Sequence, residues 1–320
     1  MAQKLAFVTW YSATRSRVLA QTLNADLITI KYKSKIRLLR LMVNPFLIAM
    51  TFFRLLKKKY DVVFAQIPPI GSAIASFLYA KAFSKKLIFD AHSGFFFPKT
   101  LNQNLYLLLY RLMLKYITMN LVHNEGIFRR SFLRNTQTIV LEDKLPFKLS
   151  DSTFSDKERF RIAVICGYGK DEPLANILES INSVPEIEFY LTGDSQNLKD
   201  KYPIPKNLIL TGYLPNNEYE ICLRNMQAII ALTTRPDTVL CGAYEAVSLA
   251  KPLITSDLPM LRKYFYKGTV HTQNDTQSII ASIRFLINNY QRLQDEMIEL
   301  RKEKEVAWQE QFKPLSQLLS

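Results

Sequence analysis

The chain is poor in the residues that most often carry covalent or metal chemistry. Its 320 residues include three cysteines, Cys166, Cys222 and Cys241, and three histidines, His92, His123 and His271. The cysteines show no metal-ligand spacing and are too few for a disulfide framework, which sets aside zinc modules and small disulfide scaffolds and fits a reducing cytoplasm. No charged leader, apolar core and small-residue cleavage site opens the sequence. Lys4–Trp10 instead alternates like a strand, so a signal peptide is not expected. A membrane-spanning helix needs roughly 20 uninterrupted apolar residues, and Asn44, Pro45 and the flanking arginines interrupt the apolar stretch Leu41–Phe53. There is no short internal repeat and no low-complexity tract.

Acidic residues are scarce in one half only. Residues 1–150 hold 23 Lys and Arg against 6 Asp and Glu, a balance of +17, while residues 151–320 hold 19 against 22, a balance of −3. Such asymmetry speaks of partners rather than of fold. With 48% hydrophobic residues, the chain can build two medium cores, so two domains are expected.

Short β-branched and aromatic runs alternate with longer helical stretches, the order of a parallel sheet wrapped by helices. Strands are predicted at Leu5–Trp10, Leu27–Ile30, Val62–Gln66, Leu87–Asp90 and Asn120–His123. After a polar, aperiodic linker between Leu141 and Phe160, the same grammar restarts at Arg161–Gly167. It continues at Phe189–Thr192, Leu208–Thr211, Ala228–Leu232, Leu253–Ser256 and Thr269–Thr272. Helices are predicted at Ser72–Phe83, Pro173–Ser183, Asn217–Arg224, Val239–Ala250, Thr276–Asn288 and most of Tyr290–Trp308. The simplest architecture is α/β, with two Rossmann-like domains facing a cleft.

Two segments bear on membranes. Lys31–Lys59 opens with a basic run, becomes apolar and closes on Arg54 and three lysines, and Leu105–Met119 interleaves Leu and Tyr with Arg111 and Lys115. Basic, aromatic-containing amphipathic segments lie in the plane of an anionic leaflet. The plainer alternative is a pair of sheet-covering helices with a solvated charged face. The coincidence with the +17 half favours peripheral membrane contact.

The most informative stretch runs from Leu232 to Ala246 and on through Ala250–Asp257. It reads as a strand ending in a polar loop, a helix opening between Val239 and Gly242, and a second strand. A helix N-terminus at the carboxyl edge of a parallel sheet offers backbone N–H groups and a positive dipole end to a diphosphate. Asp237 falls in the loop beside that anion. Glu245 falls further along the helix, where a carboxylate can accept hydrogen bonds from ribose hydroxyls.

Asp237, Gly242, Glu245-Ala246 and Lys251-Pro252-Leu253-Ile254 together resemble the donor-binding motif of retaining GT-B glycosyltransferases of family 4, in which an acidic residue and a Glu are separated by seven others. Asp237 stands where Glu is more usual. The resemblance implies that Glu245 binds the donor ribose and that Asp237 faces the transferred sugar. In the turn Cys166–Pro173, where the family usually places an Arg and a Lys on the donor phosphates, Lys170 is the residue in reach. Thr192-Gly193-Asp194 resembles the glycine turn after the second strand, and Thr211–Leu214 the later turn near the nucleobase. Val306–Phe312 resembles the last helix, which in this fold crosses back to brace the first domain. Phe89–Gly94 ends a strand at the expected cleft, where the family often has a His contacting the donor sugar. His92 is the first choice for that role and Asp90 the second, whereas His123 and His271 read as structural. Arg15 or Arg17, in the loop after the first strand, and Arg235 are candidates for phosphate.

The expected organisation is thus an acceptor-side domain over 1–150, a nucleotide-sugar domain over 151–302 and a returning helix over 303–320. The expected activity is transfer, with retention, of a sugar from a UDP- or GDP-sugar to a saccharide or lipid-linked saccharide acceptor in polysaccharide or glycoconjugate biosynthesis. Neither a metal nor a cofactor beyond the donor is expected. The expected location is cytoplasmic, peripheral on the inner face of the cell membrane. Rival readings are a sugar-nucleotide epimerase of the same fold, an inactive relative, and a non-catalytic basic protein binding membrane or nucleic acid. No nucleic-acid recognition motif or aromatic-interleaved basic patch supports the last.

Overall fold

The computed structural model describes residues 3–10, 14–30, 37–97, 101–130, 132–133, 136–149, 159–195, 198 and 200–320. The chain divides into two compact units, one of residues 1–144 with 308–320 and the other of residues 145–307. Residues 150–158 of the expected linker, Ser12 and Ala13 of the first loop, and Lys31–Ile36 of the basic run lie outside the described residues.

The first unit runs β1 (Leu5–Thr9), α1 (Thr14–Thr22), β2 (Asp26–Thr29), α2 (Arg37–Lys58), β3 (Val62–Ile67), α3 (Ile70–Phe83), β4 (Lys86–Ala91), α4 (Leu101–Met113), β5 (Met119–Val122), α5 (Glu125–Phe128) and β6 (Thr138–Val140). Its strands pair in parallel in the order β2-β1-β3-β4-β5-β6. Successive residues of β3 feed opposite faces. Val63, Ala65 and Ile67 join the cluster under α3 and α4, while Val62 and Phe64 join Phe7, Leu19, Trp308 and Leu315 on the other side. Both faces are covered, which is why these strands read as unbroken apolar runs. Helix α2 continues through Pro45, so Asn44-Pro45 interrupts the apolar run without ending the helix. Helix α1 replaces the loop expected at 14–17, because Arg15, Ser16, Val18 and Leu19 all have buried partners to face.

The second unit runs β7 (Arg161–Val164), α6 (Leu174–Asn182), β8 (Glu188–Thr192), β9 (Leu208–Gly212), α7 (Asn216–Arg224), β10 (Ala228–Ala231), α8 (Cys241–Ser248), β11 (Leu253–Ser256), α9 (Pro259–Tyr264), β12 (Thr269–Thr272) and α10 (Thr276–Asn288). The parallel order is β12-β11-β10-β7-β8-β9, the Rossmann arrangement, with the strand order reversing between β7 and β10. Helix α11 (Tyr290–Leu319) gives its first part to this unit and Trp308 onward to the first. Within the first unit, Trp308 Nε1 donates to the Glu142 carbonyl at 3.1 Å, and the Gln311 side chain meets Glu142 at 2.8 and 2.9 Å.

Two described backbone positions in the second unit, Gly193 and Gly268, combine a positive φ with a backbone atom 2.6 Å from where a Cβ would lie. Gly193 turns the chain after β8 at φ +100°, and a Cβ there would lie 2.6 Å from the Cys166 carbonyl oxygen. Gly193→Ala is therefore expected to lower stability by about 1–3 kcal/mol through strain and collision. Gly212→Ala, at φ +67° but with open space around it, is expected to cost less, and the two unfolding midpoints in denaturant measure the difference.

Candidate functional site

Ligands of doubly wound sheets sit beyond the carboxyl ends of the strands at the reversal of strand order, which in the second unit means the loops after β7 and β10. Asp171 latches these loops together. Its Oδ1 pairs with Arg235 at 2.7 Å, its Oδ2 accepts from Thr233 Oγ1 at 3.1 Å, and its backbone carbonyl accepts the Thr234 N–H at 2.7 Å. Beside it, Glu172 accepts the backbone N–H groups of Gly167 at 2.8 Å and Gly169 at 2.6 Å. The loop after β7 thus folds around an internal carboxylate, the geometry of an anion-accepting nest. Burial and the nearby Glu172 push the Cys166 thiol up to about 12, so it is no nucleophile at neutral pH. Two non-glycine residues of these loops, Tyr168 at φ +58° and Asp237 at φ +49°, hold left-handed backbone. Such conformations persist where surrounding structure enforces them, often at functional sites.

Helix α8 starts directly beyond the loop after β10, at Cys241 within the expected opening between Val239 and Gly242, and its N-terminal end points backbone N–H groups and the positive end of its dipole out of the sheet edge. Gly242, in its first turn, allows close approach to β7: a Cβ would stand 3.1 Å from three side-chain carbons of Ile165. Glu245 is 4% exposed and accepts a hydrogen bond from the Tyr219 hydroxyl at 2.6 Å. Burial, reinforced by the Glu245 charge, raises the Tyr219 hydroxyl far above its ordinary value, so it stays a donor and holds the carboxylate in one orientation. Lys251, in the Lys-Pro segment that follows, is buried and donates to the Arg224 carbonyl at 3.0 Å and to that of Met226. It caps the end of α7 and belongs to the scaffold.

A second group of charged side chains gathers at the carboxyl edge of the first unit's sheet. Arg15 on α1 is 7% exposed and reaches Asp90 at the end of β4, at 2.9 Å, and Asp143 beyond β6, at 2.7 Å. Burial alone would raise the Asp90 carboxyl, but Arg15 and His92 outweigh it and hold it well below the carboxylate range. His92 Nε2 lies 3.1 Å from Asp90 Oδ2, and the His92 ring meets His123, beyond β5, edge to face at 5.9 Å between centroids. His123 is buried, its Nδ1 has no hydrogen-bond partner among the described residues, and burial lowers its pKa from 6.5 to about 4.

Of the residues expected from sequence, Lys170, Arg235, Asp237, Gly193 and Asp194 fall in loops at the carboxyl edge of the second unit's sheet, and Gly242 and Glu245 fall in the first turn and the middle of α8. Lys170 and Asp194 are exposed, and both belong to the wall of a cavity of about 520 Å³ that Tyr168, Asn176 and Tyr202 also line. Arg235 already has a carboxylate partner in Asp171. Arg15 is buried and engaged by two carboxylates, an arrangement that leaves it a positioning role rather than an open phosphate contact. Sequence reasoning did not identify Asp171, Tyr219 or the Arg15–Asp143 pair, whose partners stand 26 to 128 positions away. Among the described residues, no group of three His, Cys, Asp or Glu side chains is placed to hold a metal ion.

No protein-family model matches the chain, and no curated protein matches its sequence. Its fold is similar to that of sucrose-phosphate synthase from Thermosynechococcus elongatus, with a TM-score of 0.75 and 12% identity over 99% of this chain and 98% of that one. It is similar also to HepE of Anabaena, solved with UDP and glucose, with a TM-score of 0.71 and 11% identity over 98% and 100%. A protein of Listeria monocytogenes assigned as a UDP-N-acetylglucosamine 2-epimerase gives a TM-score of 0.64 and 11% identity over 93% and 91%. At these identities the likeness concerns the fold, which is the two-unit, Rossmann-like GT-B fold.

The buried first-unit cluster makes a pH prediction. Between pH 6.5 and about 4 the unfolded chain carries a proton on His123 that the folded chain refuses, so stability is present in full above that window and is lost as pH falls through it. This group can contribute up to about 3 kcal/mol. Asp90, held low in the fold, loses its contribution only at still lower pH. Unfolding midpoints measured from pH 7 to 4.5 should fall, and His123→Asn should flatten the fall; an unchanged slope would place the pH dependence elsewhere.

Proposed function

We propose that the protein is a glycosyltransferase that binds a nucleoside diphosphate sugar at the carboxyl edge of its second unit. The observation that carries this reading is the buried carboxylate of Glu245, in the middle of helix α8 beyond the strand-order reversal and oriented by Tyr219, with Asp237 in the loop before that helix. A paired hydroxyl recognition of a ribose suits such a carboxylate, and the amino end of α8 suits the diphosphate. The solved structures of similar fold that hold UDP and UDP-glucose support a nucleotide sugar as the donor.

In this reading the departing diphosphate gathers negative charge and is met by Lys170, Arg235 and the α8 N–H groups, so the proposed step needs no metal. Asp237 faces the transferred sugar, and the resemblance gives His92, which Asp90 orients, as a residue that contacts the donor sugar. The sequence motif supports retention of anomeric configuration. The basic first unit supports an acceptor that is a saccharide or lipid-linked saccharide, met at the inner face of the cell membrane in glycoconjugate or polysaccharide assembly. An epimerase of the same fold would share the nucleotide site, and it is separated from the transferase by one property: it changes the donor sugar without any acceptor.

A thermal-shift panel of UDP, GDP, ADP and their sugars tests the reading. One nucleotide series should raise the unfolding midpoint, through a stabilisation of about 2.7 kcal/mol at a hundredfold excess over Kd. Glu245→Ala should abolish the shift, and Tyr219→Phe should weaken it about tenfold in Kd through loss of a charge-assisted hydrogen bond. Absence of any shift at millimolar-range ligand would refute the donor site. Donor-sugar interconversion in acceptor-free mixtures would move the assignment to the epimerase.

A further inference from the structure

Helices α2, α3 and α4 pack side by side over one face of the first unit's sheet, and none of them contains an Asp or Glu. Helix α4 is apolar on two sides. Leu107, Tyr110 and Met113 point into the core, whereas Leu105, Leu108 and Leu112, together with Tyr116 in the turn that follows, form a second stripe in solvent at i, i+3, i+7 and i+11. An ordinary sheet-covering helix has one apolar stripe and a polar back.

The neighbouring helices extend this outer stripe. On α2, Phe46 and Phe53 are 67% and 64% exposed, and on α3 Phe83 is exposed near the helix end. Ring contacts knit the patch together. Phe52 lies 6.0 Å from Phe53 and 6.4 Å from Phe83, and Phe77 lies 6.2 Å from Tyr116. Basic side chains stand among these rings without acidic neighbours on the same helices. Lys81 Nζ sits 4.7 Å above the Tyr116 ring, Arg111 and Lys115 are exposed along the α4 stripe, and Arg54, Lys57 and Lys58 close α2. Monomeric proteins seldom expose contiguous apolar patches of this kind without a partner.

We propose that this face of the first unit docks in the headgroup layer of an anionic lipid membrane. Exposed rings and leucines supply apolar area for the acyl boundary, and the lysines and arginines, of which Lys58 also pairs with Asp26 at 3.0 Å, supply attraction to anionic headgroups. A nucleic-acid backbone would use the charges but leave the apolar stripe in water. No described helix is long and apolar enough to cross a bilayer, so the contact is in-plane. The inference stands on this surface alone and does not rest on the transferase reading, although it tells where that reading's acceptor would be met.

Sedimentation of the full chain with vesicles tests it, using phosphatidylcholine alone and phosphatidylcholine with about one-third phosphatidylglycerol. The wild type should pellet with the anionic vesicles, more weakly as salt rises, and not with the neutral ones. Phe53→Ser/Leu112→Ser/Tyr116→Ser and Lys57→Glu/Lys81→Glu/Lys115→Glu should each lower binding at least about tenfold. Unchanged unfolding midpoints and an unchanged nucleotide thermal shift in these variants would show that the surface alone was altered. No binding to anionic vesicles, or binding that survives both triple variants, overturns the proposal, as does capture by polynucleotide in preference to vesicles. None of these outcomes touches the donor site, which the nucleotide panel judges separately.

Discussion

Parallel strand pairing governs how this chain can carry function. Every described strand pair in both sheets is parallel, so each strand must return across the sheet before the next begins, and every loop that follows a strand emerges at the same edge. Residues far apart in sequence are thereby delivered to one line. Arg15, Asp90, His123 and Asp143 meet in this way at the end of β4 and beyond three other strands of the first sheet, and Asp171, Thr233 and Arg235 meet after two strands of the second. Burial of both sheet faces then leaves these edges as the place where polar groups can gather with partners.

The strands were legible because burial on both faces makes them short unbroken apolar runs. Val62–Gln66 lies within β3, and Ala228–Leu232 contains β10, all of whose residues are buried. Strand β6 escaped notice because it is three residues at the sheet's edge and lacks enough length for a pattern. Helix α1 was hidden for another reason. Its opening Thr-Arg-Ser-Arg reads as a polar loop, and only the tertiary fold reveals that Arg15 faces two carboxylates and that Ser16 bonds Gln66 at 2.7 Å. At the candidate site, the sequence motif led to Asp237 and Glu245, but the hydroxyl that orients Glu245 sits on a different helix, and local spacing carries no trace of it.

The two units distribute their charges differently, and the difference is physical as well as compositional. In the second unit, Arg161, Arg235, Arg262 and Lys267 each find a carboxylate within 3.0 Å, leaving a surface near neutrality and an edge able to recognise a specific anion by geometry. Helices α2, α3 and α4 of the first unit carry bases and no acids, so the proposed contact at that face is one of attraction by field rather than by fit. Under the two proposals, recognition by fit and attraction by field are kept on separate units.

The Arg15, Asp90 and Asp143 trio has an evolutionary corollary. Each charge is tolerable in the interior only while the others remain, and losing one member of a buried set costs about 3–5 kcal/mol, a large share of the margin by which a domain stays folded. Drift at these positions is therefore barred one residue at a time. The trio can be inherited whole or exchanged whole for an apolar set, and relatives of this chain should sort into those two groups, with few intermediates between them.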